Sequence, residues 1–227
     1  MESTLEVISV LITREWLGIY SDRLERRPGA IDAFVGTKSL LSSIVGFHLH
    51  QGIMAVAKIP TPKKLDEVVK ESLRPLLFVA VEGMTNSENL GVVVRNCVAF
   101  GVQALIVGET SSSPYLRRAV RNSMGAIFRL PVVDCGDLVE TIADLRHRGM
   151  EVVAAHPHAG KPMKESSLFV GDCFIVLGSE GEGITEKTLA ACSEAVAIPM
   201  KPGVDSLNVS SAAAVLLYEI ARQRQLK

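Results

Sequence analysis

Short runs of apolar residues recur along the second two-thirds of the chain, separated by stretches with helical spacing. The run LLFVAVE at 76–82 is almost entirely apolar, which is typical of a strand covered on both faces. In NLGVVVRNCVAF at 89–100 the apolar residues recur at helical spacing, and Gly101 marks the end of the helix. The same criteria predict further strands at 103–108, 127–134, 150–156, 173–179 and 195–200, and further helices near 114–122, 137–148, 184–192 and 208–224.

Strands that alternate with helices over about 150 residues predict an α/β fold with a parallel sheet and helices on its faces. The first 60 residues differ, because charged residues break their apolar runs more often. We therefore predict a small N-terminal domain at 1–60 and a main domain at 75–227. The segment between them, 61–74, bears prolines and lysines, which predicts a linker with room for a short helix.

The composition gives no sign of a surface that binds nucleic acid as a whole. The 227 residues include 24 Lys and Arg against 25 Asp and Glu, a net charge of -1. A histone-like or ribosomal-protein-like chain would be strongly basic, so that class is excluded, whereas a local basic patch is not.

The cysteines and the N-terminus indicate a reduced, cytoplasmic protein. Cys97, Cys135, Cys173 and Cys192 form no C-x-x-C pair, which excludes a zinc ribbon and favours buried thiols. The N-terminus has no basic region before an apolar stretch, so we expect no signal peptide. The longest uncharged run, 39–57, contains two histidines and several serines, so we expect no membrane span.

A parallel sheet binds its ligands at the carboxyl ends of its strands, and three of the loops there are unusual. The first, NSENLGVVVRNC at 86–97, opens a helix for which Asn86 or Ser87 can be the N-cap. Asn89 and Arg95 are six residues apart, so they converge only if Asn89 lies in a non-helical first turn. The alternative is a capped surface helix with a solvated Arg95.

The second loop, GSEGEGI at 178–184, has three glycines that permit close approach of a ligand. It matches neither a dinucleotide fingerprint nor a P-loop, and Glu180 and Glu182 would repel a pyrophosphate. A ligand here should be neutral or cationic; the alternative is a tight turn between a strand and a helix. The third loop, IPMKPGVDSLNVSS, leads into an alanine-rich helix for which Ser206 or Asn208 can be the N-cap.

Together, NSENLGVVVRNCVAFG, FIVLGSEGEGI and IPMKPGVDSLNVSSAAAVLLYE resemble the three motifs of the SpoU-type (TrmH-like) RNA ribose 2'-O-methyltransferases of the SPOUT superfamily. The motifs occur in the family's order across 76–224. The resemblance implies a parallel-sheet SPOUT fold with a C-terminal trefoil knot. It also implies S-adenosylmethionine as the cofactor, bound by the loops of the knot.

The resemblance assigns two sets of site residues. The catalytic positions are Arg95, Asn89, Glu180, Ser206 and Asn208, and the cofactor-binding positions are Gly178, Ile198, Leu207 and Met200. In the implied reaction a ribose 2'-hydroxyl attacks the sulfonium methyl and loses its proton. An arginine pKa above about 12 suits Arg95 to anchoring a phosphate and stabilising the alkoxide better than to acting as a base. The other four would orient the ribose or Arg95 and hold the network together.

The segment SLLSSIVGFHLHQGIMAVAKIP resembles the end of the small α/β, ribosomal-protein-like RNA-binding domain of the rRNA-modifying branch, here in shortened form. This favours structured rRNA, 23S rRNA above all, over tRNA as the substrate. The family also implies a homodimer whose sites are completed by both chains. The alternatives are a tRNA ribose methyltransferase and a catalytically silent, knotted RNA-binding protein.

The remaining candidates are basic or histidine residues. For phosphate contacts the best clusters are Arg117, Arg118 and Arg121, and Arg23, Arg26 and Arg27, with solvated faces as the alternative. His48 and His50 lack a third ligand in the sequence, so we expect a structural role and no metal. His156 and His158 are expected near the cofactor pocket.

Overall fold

Two separate sheets organise the chain in the computed structural model, which describes residues 5–225. Residues up to Thr61 form one compact unit, and residues from Pro62 onward form another. Residues 1–4 and 226–227, which the predicted domain boundaries include, lie outside the described part of the chain.

The first unit is a small α/β layer. Strand β1 (Val7–Ile12) lies between β2 (Asp32–Val35), which runs parallel to it, and β3 (Ile53–Ala57), which runs antiparallel. Helix α1 (Arg14–Glu25) follows β1, and α2 (Lys38–Val45) follows β2. The small core of the unit includes Val10, Ile12, Leu41 and Leu49, all buried.

The second unit is a six-stranded, entirely parallel sheet with the strand order β6-β5-β4-β8-β7-β9. Its strands are β4 (Leu77–Val81), β5 (Ala104–Val107), β6 (Val132–Asp134), β7 (Glu151–Ala155), β8 (Cys173–Leu177) and β9 (Glu194–Val196). Its helices are α3 (Leu65–Glu71), α4 (Ser87–Ala99), α5 (Arg117–Asn122), α6 (Leu138–His147), α7 (Glu186–Ala191) and α8 (Val209–Gln223).

Helices cover both faces of this sheet, which is why its central strands are apolar at every position. All five residues of β4 and all five of β8 are buried. On one face, alternate residues such as Val79 and Ile175 pack with α4 and α8; on the other, Phe78 and Phe174 pack with α3 and α6. The predicted linker 61–74 contains α3, whose Val68 is buried in this second core.

Two of the predicted strands are shorter than expected. The strand predicted at 127–134 begins inside a 3-10 helix, Ala126–Arg129, and only Val132–Asp134 is strand. Ile127 is buried within that short helix, so an apolar run that reads as a strand is a packed turn. The strand expected at 195–200 ends at Val196; after it, Ala197 forms only an isolated bridge with Pro162.

Candidate active site at the carboxyl end of the sheet

The side chains of Asn89, Glu180 and Asn208 meet where β4 and β8 end, although they come from three distant parts of the chain. Asn89 Nδ2 donates to Glu180 Oε2 at 2.6 Å. Asn208 Nδ2 donates to Asn89 Oδ1 at 3.2 Å and to Glu180 Oε1. Both carboxylate oxygens of Glu180 are therefore held by amide groups, and one carboxylate joins the first, second and third motifs.

The local structure of α4 places Asn89 in this group. Asn86 is the N-cap, and its side chain accepts from the backbone N–H groups of Glu88 at 2.9 Å and Asn89 at 3.3 Å. Asn89 therefore lies inside the first helical turn, so the non-helical geometry that would bring it to Arg95 does not occur. Between the two candidate caps, Asn86 and Ser87, the structure selects Asn86.

The glycine loop, residues 178–183, presents Glu180 from the other side. Its base is closed by reciprocal backbone hydrogen bonds between Ser179 and Gly183, at 3.1 and 3.2 Å. Gly178 packs so closely on Gly183 that a Cβ would overlap the Gly183 backbone. Gly183 has a φ of 73°, in the left-handed region that favours glycine. The compact shape of the loop therefore requires glycine at positions 178 and 183.

Asn208 is the N-cap of α8, and this fixes the direction of its side chain. Its Oδ1 accepts from the backbone N–H of Ser210 at 3.0 Å, which leaves the amide nitrogen to face Asn89 and Glu180. Asn208, rather than Ser206, is thus the cap. Capping and site assembly use opposite ends of one amide group.

A cavity of about 580 Å³ adjoins this group. Its lining includes every residue predicted to bind the cofactor, together with Ser206 and both histidines of the 156–158 loop: Gly178, Ile198, Met200, Leu207, Ser206, His156 and His158. Glu180, Glu182 and Asp205 also line it, whereas no lysine or arginine among residues 5–225 does. The cavity thus suits a cationic ligand that carries no phosphate.

A second cavity, of about 950 Å³, opens on the other side of the same residues. It lies at the ends of β4 and β5, and it shares the glycine loop, including Glu180, with the first cavity; Asn89 lines it too. The Asn89–Glu180–Asn208 group therefore stands at the boundary between two spaces, where two different ligands could meet.

Arg95 is not part of this group. It lies on α4 beyond Asn89, is exposed, and has no hydrogen-bond or ion-pair partner within residues 5–225. The structure of one chain thus assembles three of the five predicted catalytic residues, lines the cavity with Ser206, and leaves Arg95 apart.

The basic cluster Arg117, Arg118 and Arg121 lies exposed on α5, which packs against α4. Arg118 Nη1 is 3.9 Å from the carboxylate of Glu88, an exposed pair that contributes little stability.

The other cluster, Arg23, Arg26 and Arg27, lies at the end of α1, where Arg27 Nη1 donates to the Leu5 carbonyl at 3.3 Å. His48 and His50 also lie in the first unit, with ring centroids 4.8 Å apart.

One carboxylate of the site, Glu82, was not singled out from the sequence. It follows the last residue of β4, is buried, and accepts hydrogen bonds from Thr185 and Thr188. Its sequence signal is a lone carboxylate at the end of the apolar run LLFVAVE.

The four cysteines are buried or half-buried free thiols. Burial raises the pKa of Cys173 and Cys192 to about 12 and that of Cys135 to about 11, and it raises the pKa of Cys97 as well. Within residues 5–225, no three His, Cys, Asp or Glu side chains are grouped so as to hold a metal ion. In the same range, no helix is both long and apolar enough to cross a membrane.

Comparison with known proteins gives a consistent result. The model of the SpoU rRNA Methylase family matches residues 76–218. A protein of Mycolicibacterium paratuberculosis named as an uncharacterized tRNA/rRNA methyltransferase is 36% identical over 190 residues, which are 82% of this chain and 60% of that protein. The chain thus spans less than two-thirds of that relative's length.

Two further relatives extend the comparison. The 23S rRNA (guanosine-2'-O-)-methyltransferase RlmB of Vibrio vulnificus is 35% identical over 178 residues, 77% of this chain and 71% of that protein. The crystal structure of AviRb from Streptomyces viridochromogenes, a SpoU methyltransferase in complex with the cofactor AdoMet, superposes with a TM-score of 0.84 at 24% identity, covering 99% of this chain and 85% of that one. That likeness shows the fold.

Proposed function

This chain belongs to the SpoU rRNA methylase family, and on that premise we propose that it methylates a ribose 2'-hydroxyl of structured RNA with S-adenosylmethionine as the methyl donor. The observation that carries the proposal is the Asn89–Glu180–Asn208 group. It lies between the first cavity, whose carboxylates would repel a phosphate, and the second cavity.

The first cavity fits this cofactor. Its volume of about 580 Å³ suits a ligand of nucleoside size, and apolar side chains such as Ile198 and Leu207 would pack on the adenine. The carboxylates of Glu180, Glu182 and Asp205 favour a cationic ligand. When bound, S-adenosylmethionine supplies an electrophilic methyl group on a positively charged sulfur.

The residues of the group orient the attacking ribose. The amides of Asn89 and Asn208 are held in place by Glu180, so their positions do not depend on the substrate. Ser206, exposed in the wall of the cavity, supplies a hydroxyl toward the ribose. Arg95 anchors an RNA phosphate and stabilises the charge that develops as the 2'-hydroxyl loses its proton.

Because Arg95 lies outside the group of its own chain, we propose a homodimer in which the partner supplies this arginine. The outer face of α8 supports such an association, since Val215 and Tyr218 are exposed there, the latter by 60%. The ring of Tyr218 stacks edge-on against Phe100, at a centroid distance of 6.4 Å. An apolar face of this kind next to the site would bring a second site into reach.

The path of the chain also supports the family's trefoil knot. The edge strand β9 pairs with β7, whereas α8, which follows it, packs against α4. Residues 197–208 must therefore return past the loop that follows β8, and this return brings Asn208 to Glu180.

For the substrate we propose 23S rRNA ahead of tRNA. One relative is named for guanosine 2'-O-methylation of 23S rRNA, and this chain carries an additional α/β unit before the methylase region. Arg117, Arg118 and Arg121 on α5, and Arg23, Arg26 and Arg27 on α1, are the proposed phosphate contacts.

The test is transfer of labelled methyl from S-adenosylmethionine to unmodified 23S rRNA and tRNA transcripts. Label on one transcript, with that nucleotide made resistant to alkaline cleavage, is the expected result and names the substrate. Cofactor binding without label on naked transcripts or on ribosomal particles would instead identify a silent RNA-binding protein.

A further inference from the structure

Glu82 is a buried carboxyl group with no cationic partner within residues 5–225. Its side chain accepts only from neutral donors: the Thr185 backbone N–H at 2.9 Å, the Thr185 hydroxyl at 2.9 Å and the Thr188 hydroxyl at 2.7 Å. Glu82 is 9% exposed and Thr188 is 1% exposed. A carboxylate is costly to bury, so three hydrogen bonds from one short segment fix that segment firmly.

The segment that Glu82 holds is the exit of the glycine loop. The backbone hydrogen bonds between Ser179 and Gly183 join the two ends of the loop. The N-terminal end of the loop is fixed because it continues directly from β8, which pairs with β4 on one side and β7 on the other. Its exit, through Ile184 to Thr185, is fixed by the carboxylate of Glu82.

Glu82 also lies at the start of the segment that leads into α4 and Asn89. Its own backbone N–H donates to the Leu177 carbonyl at 2.9 Å, at the last residue of β8. The chain then continues from Glu82 through Gly83 to Asn86 and α4, which carries Asn89. One residue is thus joined to both segments whose side chains, Asn89 and Glu180, meet at 2.6 Å.

We propose that Glu82 is a positioning residue for the methyl-transfer site. Through Thr185 and Thr188 it sets the orientation of the glycine loop, and thereby the wall of the cofactor cavity and the contact of Glu180 with Asn89. The proposal rests on the proposed function, since the value of that orientation lies in cofactor binding and catalysis.

Thr188 offers the cleanest variant, because it lies on α7, outside the cofactor cavity, and is only 1% exposed where it borders the second cavity. Thr188→Val keeps the shape of the side chain and removes one donor to Glu82. Thr188→Ser keeps the donor and removes a methyl group. Thr141→Val is a matched control: the Thr141 hydroxyl donates to the carbonyl of Asp137, the N-cap of α6, at 2.8 Å, its side chain also meets the Cys135 thiol, and it lines neither cavity.

The measurements are the Kd for S-adenosylmethionine by calorimetry and amide hydrogen exchange along the full chain. For Thr188→Val we expect the Kd to rise about tenfold, with faster exchange confined to residues 178–185. For Thr188→Ser and Thr141→Val we expect both quantities to stay within about twofold of the wild type. In methyl transfer, Thr188→Val should lower kcat while the KM for RNA is unchanged.

Two results would overturn the proposal: exchange and Kd in Thr188→Val equal to the wild type, or faster exchange spread over the whole second unit, which marks a general packing defect. Failure of the proposed function is distinguishable, because the wild type would then neither bind the cofactor nor transfer methyl groups. Even in that case, amide hydrogen exchange at residues 178–185 shows whether Glu82 holds the glycine loop in place.

Discussion

Arg95 is exposed on α4, while Asn89, six residues before it, is held by Glu180. A guanidinium that has no protein partner within residues 5–225 is available to bind an RNA phosphate. The amide groups, by contrast, are already engaged before any substrate arrives. In the proposed function, this division separates the residue that would meet the RNA charge from the residues that would orient the ribose.

Arg95→Ala should therefore abolish methyl transfer and leave the Kd for S-adenosylmethionine unchanged, because Arg95 does not line the cofactor cavity. We expect a loss of at least about a hundredfold in kcat, as for other groups that stabilise developing charge. Single-turnover transfer and cofactor calorimetry on the same preparation provide the measurement. Transfer at a near wild-type rate would refute the role assigned to Arg95.

The cysteines give a second prediction at this scale. Burial foremost, assisted by the negative charge of Glu109, raises the pKa of Cys135 from 9.0 to about 11, so the thiolate fraction below pH 9 falls about a hundredfold. Maleimide should label Cys135 about a hundredfold more slowly in the native protein than in the unfolded chain. Native labelling as fast as that of the unfolded chain would contradict this.

Sequence motifs predict the site residues but not their arrangement. Glu180 and Asn208 stand in recognisable motifs, whereas their meeting with Asn89 depends on how residues 197–208 return to α4, which no local pattern encodes. Glu82 was not predicted as a site residue because a single carboxylate after an apolar run has no characteristic spacing. The error at 127–134 has a similar origin, since burial of Ile127 in a turn gives the same apolar pattern as a strand.

At the scale of elements, the contact between α4 and α5 depends on Gly91. A glycine inside a helix costs about 1 kcal/mol relative to alanine, so its presence there indicates close packing. A Cβ at this position would overlap the Ala119 carbonyl and lie 2.8 Å from Asn122 Cβ. The close approach sets α5, with its three arginines, directly beside the helix that bears Arg95.

Gly91→Ala should thus destabilise the second unit by about 1–3 kcal/mol, despite the better helix propensity of alanine. Gly136→Ala is the control, because a Cβ there meets nothing within 4 Å and its stability effect should be close to zero. Denaturant unfolding followed by circular dichroism measures both. Equal stability of the two variants would show that α5 shifts away at no cost.

At the scale of the whole molecule, the proposed site is divided between two chains. In the proposed dimer each chain would contribute an Asn89–Glu180–Asn208 group with its own cofactor cavity, and each would supply Arg95 to its partner. A closed dimer of this kind has two equivalent sites, each with residues from both chains. A variant that lacks Arg95 and one that lacks Glu180 therefore damage different halves of each site.

Arg95→Ala and Glu180→Ala homodimers should both be inactive. When the two variants are co-expressed with different affinity tags and the heterodimer is isolated, one of its sites combines the intact Arg95 with the intact Glu180, and the other lacks both. The heterodimer should accordingly recover about half of the wild-type methyl-transfer activity. An inactive heterodimer of correct mass by light scattering would instead place Arg95 and Glu180 in the same chain's site. Such a result would require Arg95 to turn toward Asn89 when RNA binds, and it would separate the dimer from the catalytic mechanism.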